Sequence, residues 1–311
     1  MSPRMTAAIM LSLLLSTSAC SVKRFAINKI GDALASGGST YTSDDDVELV
    51  AGALPFSLKL VESLIAESPE HKGLRLVASQ GFTSYAYVEV QQKLDAALIS
   101  DYATAEKLKA RARRLYMRGH NQGLAALELA HPGFAARFTT DAGKAVTALR
   151  REDIPLIYWT AAGLGMAISA SRDDPAMLAR IPEVETLIDR ALTLDSQWNK
   201  GALHEFSITI AGAKPGRLEV ERVRRHFKQA LDLSGGKSVG LFVSYAEALA
   251  VPQQNREEFK SLLEHAMAIN PDTHPDNRLL NIIAQRRARW LLERIDDLIL
   301  TEEAPAEGAR P

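Results

Sequence analysis

From Val47 to about residue 300, apolar side chains return at helical spacing, with Ala, Leu, Glu, Arg and Lys between them, and few Val-Ile-Thr runs alternate. The pattern predicts helix after helix, punctuated by Pro and Gly. Three aspartates, Asp44 to Asp46, sit where a helix N-terminus favours negative charge, with Ser43 or Asp44 as the expected cap. Pro55 is expected to break or kink the first helix and Ser68-Pro69 to end it. A long run from about Leu74 to Ser100 follows. Another runs from Tyr102 to Ala130 and is stopped by His131-Pro132-Gly133. Asp153 with Pro155 starts a further helix, and Asp174-Pro175 a shorter one.

The helix begun at Asp153 differs from the others. Ile154 to Ser171 holds no charged side chain and is apolar all round, which predicts a central position. Gly163 and Gly165 each cost about 1 kcal/mol relative to Ala in a helix interior, so another backbone is expected to come close. Tyr158 and Trp159 carry polar groups that need partners when buried and suit a core edge or a cavity wall. With Met166 they are the candidate ligand-lining or pore-lining residues, plain core packing being the alternative.

In the carboxy-terminal half, ALTLD (191–195), ALDLS (230–234) and AMAIN (266–270) each close a helix before a turn, and LIAESP (64–69) and LELAHP (127–132) end earlier helices in the same way. Units of this length that cannot bury their apolar faces alone stack as helical hairpins. The expected fold is all-α, a TPR-like stack of antiparallel hairpins over 47–300. The polar, Pro-containing segment 301–311 is expected to be a disordered tail.

The first twenty residues depart from this pattern. Arg4 precedes an apolar stretch from Ala7 to Leu15 and small residues before Cys20, the one cysteine of the 311-residue chain, as in an export signal. The apolar stretch is too short for a permanent span, which requires roughly 20 residues. Ser18-Ala19-Cys20 resembles a bacterial lipobox, although Thr17 stands where Leu is usual. Residues 1–19 are therefore expected to be a signal peptide, Cys20 the lipidated residue, and 20–46 a lipidated N-terminus and flexible tether. Ser21 after the cysteine favours the outer membrane by the usual sorting convention. A single cysteine excludes an intrachain disulfide.

Composition adds bounds. The chain is 46% hydrophobic and 24% charged, the balance of a globular protein, and its formal net charge of −1 provides no overall field to recruit nucleic acid. No H-e-x-x-H, nucleophile elbow, Walker loop or dinucleotide fingerprint is present. The nearest histidine neighbours are His120 with His131 and His265 with His274, and neither pair has metal-ligand spacing. GGKS (235–238) reads as a turn. The chain is accordingly expected to have no enzymatic role, metal or cofactor. Lys107, Arg111, Arg114 and Arg118 share one helix face beside Leu108, Ala112 and Leu115. They are candidates for an acidic partner or an anion, with simple solvation as the alternative. Arg286, Arg287 and Arg289 near Trp290 carry the same ambiguity, on a final helix that caps the stack.

Three segments carry a family resemblance: RGHNQGLAALELAHPGF (118–134), DIPLIYWTAAGLGMAISASRDDP (153–175) and PEVETLIDRALTLDSQWNKGALHEF (182–206). Together they are similar to the T-component family of tripartite ATP-independent periplasmic (TRAP) transporters, and the likeness covers nearly the whole mature chain. The resemblance implies a periplasmic lipoprotein, membrane-held through its lipid, that docks a TRAP solute-binding protein. It also implies a homotrimer with a pore through each protomer for a hydrophobic ligand, and it brings no catalytic residue. The alternative is a general TPR-like envelope lipoprotein that scaffolds outer-membrane or cell-wall assembly.

Overall fold

The computed structural model describes residues 24–35, 37, 39–216 and 218–300, so the signal segment, Cys20 and the 301–311 tail lie outside the described residues. The fold is all-helical, with no strand among the described residues. The main helices are α1 Val47–Glu67, α2 Lys72–Tyr85, α3 Gln92–Ser100, α4 Tyr102–Ala130, α5 Ile154–Ser169 and α6 Ile181–Leu194. They continue with α7 Ala202–Ala213, α8 Val220–Ser234, α9 Val239–Tyr245, α10 Arg256–Ala268 and α11 Arg278–Glu293. Helix α2 runs into α3 through a π-helical segment, Ala86–Gln91, and α9 ends in another, Ala246–Ala250.

Local chemistry sets most of the boundaries. Asp101 caps α4 by accepting from the Thr104 amide at 3.0 Å, and His71 caps α2 by accepting from Leu74 N at 3.2 Å. The cap of α1 is Asp46, which accepts from Leu49 N at 2.8 Å, and not Ser43 or Asp44 as expected; the Asp44 carboxylate instead accepts from the Asp46 amide at 2.8 Å. Pro55 does not break α1, which is one continuous helix around it. A proline deletes a single donor, and the buried flank of Val50, Leu54, Leu58 and Val61 holds the helix on both sides of the gap. The three repeat segments fall at the ends of α6, α8 and α10, as expected.

Successive helices pair as antiparallel hairpins: α1 with α2–α3, α4 with α5, α6 with α7, α8 with α9, and α10 with α11. The second helices of the hairpins also contact one another, α2 with α5, α5 with α7, α7 with α9, and α9 with α11. Helix α11 then meets the first hairpin, at α1 and through Arg287 to Asp95 of α3, so the row of second helices, which forms the inner wall, ends against the hairpin that began it. Leu279 and Ile283 of α11 are buried in the same core as Val47, Val50 and Leu54. Arg286 pairs with Glu48 at 2.6 Å and Arg278 with Asp45 at 3.1 Å at this seam. The acidic partners are largely exposed, so each pair contributes at most about 1 kcal/mol. Burying each aliphatic side chain contributes about 1.5–3 kcal/mol. The closure is therefore chiefly apolar.

Helix α5 lies at the centre of the larger core, packed on α2, α4, α6 and α7. A Cβ at Gly163 would lie 2.6 Å from His120 N and 2.9 Å from Tyr116 O, the backbone approach that its sequence predicted. Gly165 differs: its neighbours are the side chains of Ile210 and Phe206, not a backbone. Gly119 and Gly123 of α4 make the matching approaches, to Ser79 and Thr83 of α2 and to Thr160 of α5.

Candidate ligand-binding interior

The flank of α5 that carries Tyr158, Trp159 and Met166 is half-buried, while the rest of the helix is almost wholly enclosed. Tyr158 is the hub of an aromatic cluster. Its ring centroid lies 5.1 Å from Trp159, 5.0 Å from Trp198 and 5.9 Å from Phe206. Trp198 is brought there by a short 3-10 turn, Trp198–Gly201, in which Asn199 and Lys200 take left-handed φ of 46° and 54°. Burial pushes the Tyr158 hydroxyl well above its ordinary pKa, and the charge of Glu205 pushes it further. The side chain is thus deeply placed yet not fully enclosed.

Glu205, one residue before Phe206 on α7, shares that character. It is half-buried, burial raises its carboxyl pKa, and the one side-chain hydrogen bond it receives comes from the Ser238 hydroxyl at 2.7 Å. No cationic side chain lies within 4.0 Å of it among the described residues. Gly240 leaves the room: a Cβ there would meet Glu205 Oε1 at 2.5 Å. Thr209, one turn further along α7, donates to Ser244 of α9 at 3.2 Å.

Across the inner wall, Arg287 of α11 ties three helical segments together. Its guanidinium pairs with Asp95 of α3 at 2.6 Å and with Glu247, in the second π-helical segment, at 2.6 Å. Asp95 is buried and also accepts from Gln91 at 2.9 Å. Burial raises the Asp95 pKa, and Arg287 opposes it. Burial works against the Arg287 charge as well, but Glu247 and Asp95 outweigh it and keep the guanidinium protonated. Tyr87, from the first π-helical segment, is half-buried and feels Arg287, Glu247, Asp95 and Glu205. The Tyr116 hydroxyl, fully buried near Tyr87 and Asp95, has no hydrogen-bond partner among the described residues. The inner helices thus converge three carboxylates and one guanidinium.

A sequence signal for this arrangement existed and was missed. Phe82-Thr83-Ser84-Tyr85-Ala86 and Phe242-Val243-Ser244-Tyr245-Ala246 share F-x-S-Y-A, and each leads into a π-helical segment. The next residue is Tyr87 in one and Glu247 in the other, and both join the interior cluster. π-Helical turns are rare and concentrate at functional sites because the widened turn re-aims the side chains that follow.

The basic stripe on α4 is not a uniform surface. Arg111 donates to the Tyr85 hydroxyl at 2.9 Å, and Arg118 pairs with Glu62 and stacks over Phe82 at 4.4 Å. Lys107 and Arg114 are exposed and form no ion pair among the described residues. The stripe therefore offers two committed and two uncommitted cations. On α1, Leu49, Phe56 and Leu60 form an exposed apolar stripe at i, i+7 and i+11, with exposures of 61%, 76% and 45%. Among the described residues α1 is the one helix long and apolar enough to cross a membrane by length and composition, yet its opposite flank is buried in the core.

Histidines pair in a way their spacing did not suggest: Nδ1 of His204 and Nδ1 of His226 lie 2.9 Å apart. His131 bonds Asp153 at 2.8 Å, and His120 bonds the Thr160 carbonyl at 2.9 Å. Among the described residues no group of three or more His, Cys, Asp or Glu could hold a metal.

The sequence model of the TRAP transporter T-component family matches residues 43–299, nearly all of the helical body. The chain belongs to the TRAP transporter T-component family. A Treponema pallidum (strain Nichols) protein, described as uncharacterized, is 29% identical over 301 residues, covering 90% of this chain and 93% of its own length. Membership makes the chain an accessory component of a TRAP-type transport system at the cell envelope, within a family of transport components and not of enzymes.

Proposed function

We propose that this T-component is a lipid-anchored periplasmic protein that docks a TRAP solute-binding protein and holds or passes an amphipathic ligand through the space between its inner helices. The observation that carries the reading is the inner wall itself. Tyr87, Tyr158 and Glu205 sit deep enough for burial to raise their pKa values, yet all three keep accessible surface. A fully packed core would leave them none. Tyr158, Trp159 and Met166 provide the apolar side of the path. Lys107 and Arg114 offer uncommitted charge to an acidic partner on the outer face. A homotrimer is part of the reading, with Leu49, Phe56 and Leu60 as the apolar face that one copy presents to the next. A monomer in native mass spectrometry would remove that element.

Docking is tested by pull-down of the full-length lipoprotein from membranes in mild detergent. Recovery of a solute-binding protein is expected. Repeated failure to recover one, with the bait intact, would overturn the docking reading. Recovery of outer-membrane or cell-wall assembly factors in its place would favour a general envelope scaffold.

A further inference from the structure

We infer that the helix formed by residues 24–35 lies on the membrane, with its outward face seated in the headgroup region of a phospholipid bilayer. The inference rests on the reading of Cys20 as the lipid-bearing residue, and it assigns the surface that the helical body turns toward that anchor.

The side of this helix that meets the body is largely polar. Asn28 accepts from the Ser68 hydroxyl at 2.7 Å, its carbonyl meets Nε2 of His71 at 3.1 Å, and Arg24 donates to Glu70 at 3.2 Å. Nε2 of His71 also lies 3.4 Å from Asp32. Gly31 permits the approach, since a Cβ there would lie 2.6 Å from Nε2 of His71 and 3.0 Å from Leu74. Ile27 is buried on the same side. These contacts fix the helix on the turn between α1 and α2.

The opposite side is apolar and open. Phe25, Lys29 and Ala33 follow one another at i, i+4, as do Ala26, Ile30 and Leu34, so the six share one side of the helix. All six are exposed, and Phe25, Ile30 and Leu34 keep 65%, 50% and 36% of their surface. A helix on the surface of a globular protein normally turns its apolar stripe to the core and its polar face to water. Here the polar side is spent on the body and the apolar side faces out, which suits an apolar surround.

Two features select a bilayer as that surround. Cys20 stands four residues before Arg24, a reach of at most about 14 Å, so acyl chains on Cys20 hold this face at the membrane surface. From Cys20 to residue 35, Lys23, Arg24 and Lys29 outnumber the one acid, Asp32, and basic residues beside an apolar face are the pattern of a helix lying in an anionic lipid surface. The Lys29 ammonium lies 5.7 Å from the Phe25 ring centroid, so its stem follows the apolar face while its charge stays at headgroup level.

The test uses the full-length lipoprotein, purified in detergent and reconstituted into vesicles of equal parts phosphatidylethanolamine and phosphatidylglycerol. With Cys20 acylated, a cysteine introduced by Ile30→Cys or Leu34→Cys is the free thiol and takes a nitroxide label; Lys228→Cys, at an exposed position of α8, is the water-facing reference. Unsubstituted protein labelled in parallel reports any free Cys20 thiol. At positions 30 and 34, collision with oxygen is expected to exceed collision with a water-soluble nickel chelate, and at 228 the order is expected to reverse. Adding Phe25→Asp is expected to lower the oxygen-to-nickel ratio at position 30 by about threefold, with the urea midpoint unchanged because Phe25 is exposed. Nickel access at 30 and 34 equal to that at 228 would overturn the proposal. Shielding of both positions from both reagents, the sign of a second copy on this face, would overturn it as well. Protein that takes no palmitate yet seats positions 30 and 34 in the bilayer would sink the anchor reading while supporting this one.

Discussion

Replacing Arg287 with methionine keeps the stem that packs over Trp290, whose ring the guanidinium meets at 4.3 Å, but removes the charge between Asp95 and Glu247. Asp95 then becomes a buried carboxylate with Gln91 as its remaining side-chain donor. It can remain charged at a cost of several kcal/mol, or take up a proton. Protonation sets the ceiling, because neutralising a carboxyl of ordinary pKa near 3.8 at pH 7 costs about 1.36 × 3.2, or roughly 4.4 kcal/mol. Glu247 is about a third exposed and is screened by water, so it adds little. The net deficit expected at pH 7 is about 3–4 kcal/mol. The sign with pH follows directly. Without Arg287 the folded-state pKa of Asp95 rises further above its unfolded value, and the protonated form is favoured in the folded state. The deficit must therefore shrink as pH falls, toward about 1.6 kcal/mol at pH 5, from 1.36 × 1.2. Urea denaturation of the wild type and Arg287→Met at the two pH values measures this. A deficit below about 1 kcal/mol at pH 7, or one equal at both pH values, would refute the argument that Arg287 neutralises a buried acid.

Gly163→Ala drives a methyl to 2.6 Å from His120 N, where backbone must move, and is expected to cost about 2–3 kcal/mol in urea unfolding. Gly165→Ala meets side-chain ends and is expected to cost less; the reverse order would refute the reading of the close approach. His226 is pushed down to about 4, chiefly by burial, so its contribution to stability is complete above pH 6.5 and is lost as pH falls toward 4. After discounting for its partial exposure, the loss is about 1–2 kcal/mol. His226→Gln should flatten that part of the stability–pH curve, and an unchanged curve would remove the assignment. Cys20, outside the described residues, is expected to accept palmitate label in cells, and label persisting in Cys20→Ala would end the lipoprotein reading.

Much of the fold was legible because the signals are local. Ser68-Pro69, Asp101, His131-Pro132-Gly133 and Asp153 with Pro155 stop or start helices through their own backbone and side-chain chemistry, and the helices end where these residues stand. The cap of α1 was misplaced by two residues or more because all three aspartates are competent caps and the sequence does not rank them. The interior was only half legible. The uncharged helix singled out Tyr158, Trp159 and Met166 as candidates, and Arg287 was noted, but Asp95, Glu205 and Glu247 were not. Each is an ordinary acidic residue on an amphipathic helix until its partner is known. The F-x-S-Y-A pair could have pointed to Tyr87 and Glu247, because it marks the two places where the helix widens.

The sequence by itself determined where helices begin and end, that they pair as hairpins, and that Ile154 to Ser169 lies at the centre, since caps, breakers and apolar spacing act over a few residues. Only the tertiary structure decided which flanks turn inward. Helix α11 meets α1 through Arg286 and Glu48, 238 positions apart, and that closure places Arg287 against Asp95. Charge pairing depends on distance in space, and the chain sets that distance only after five hairpins have packed.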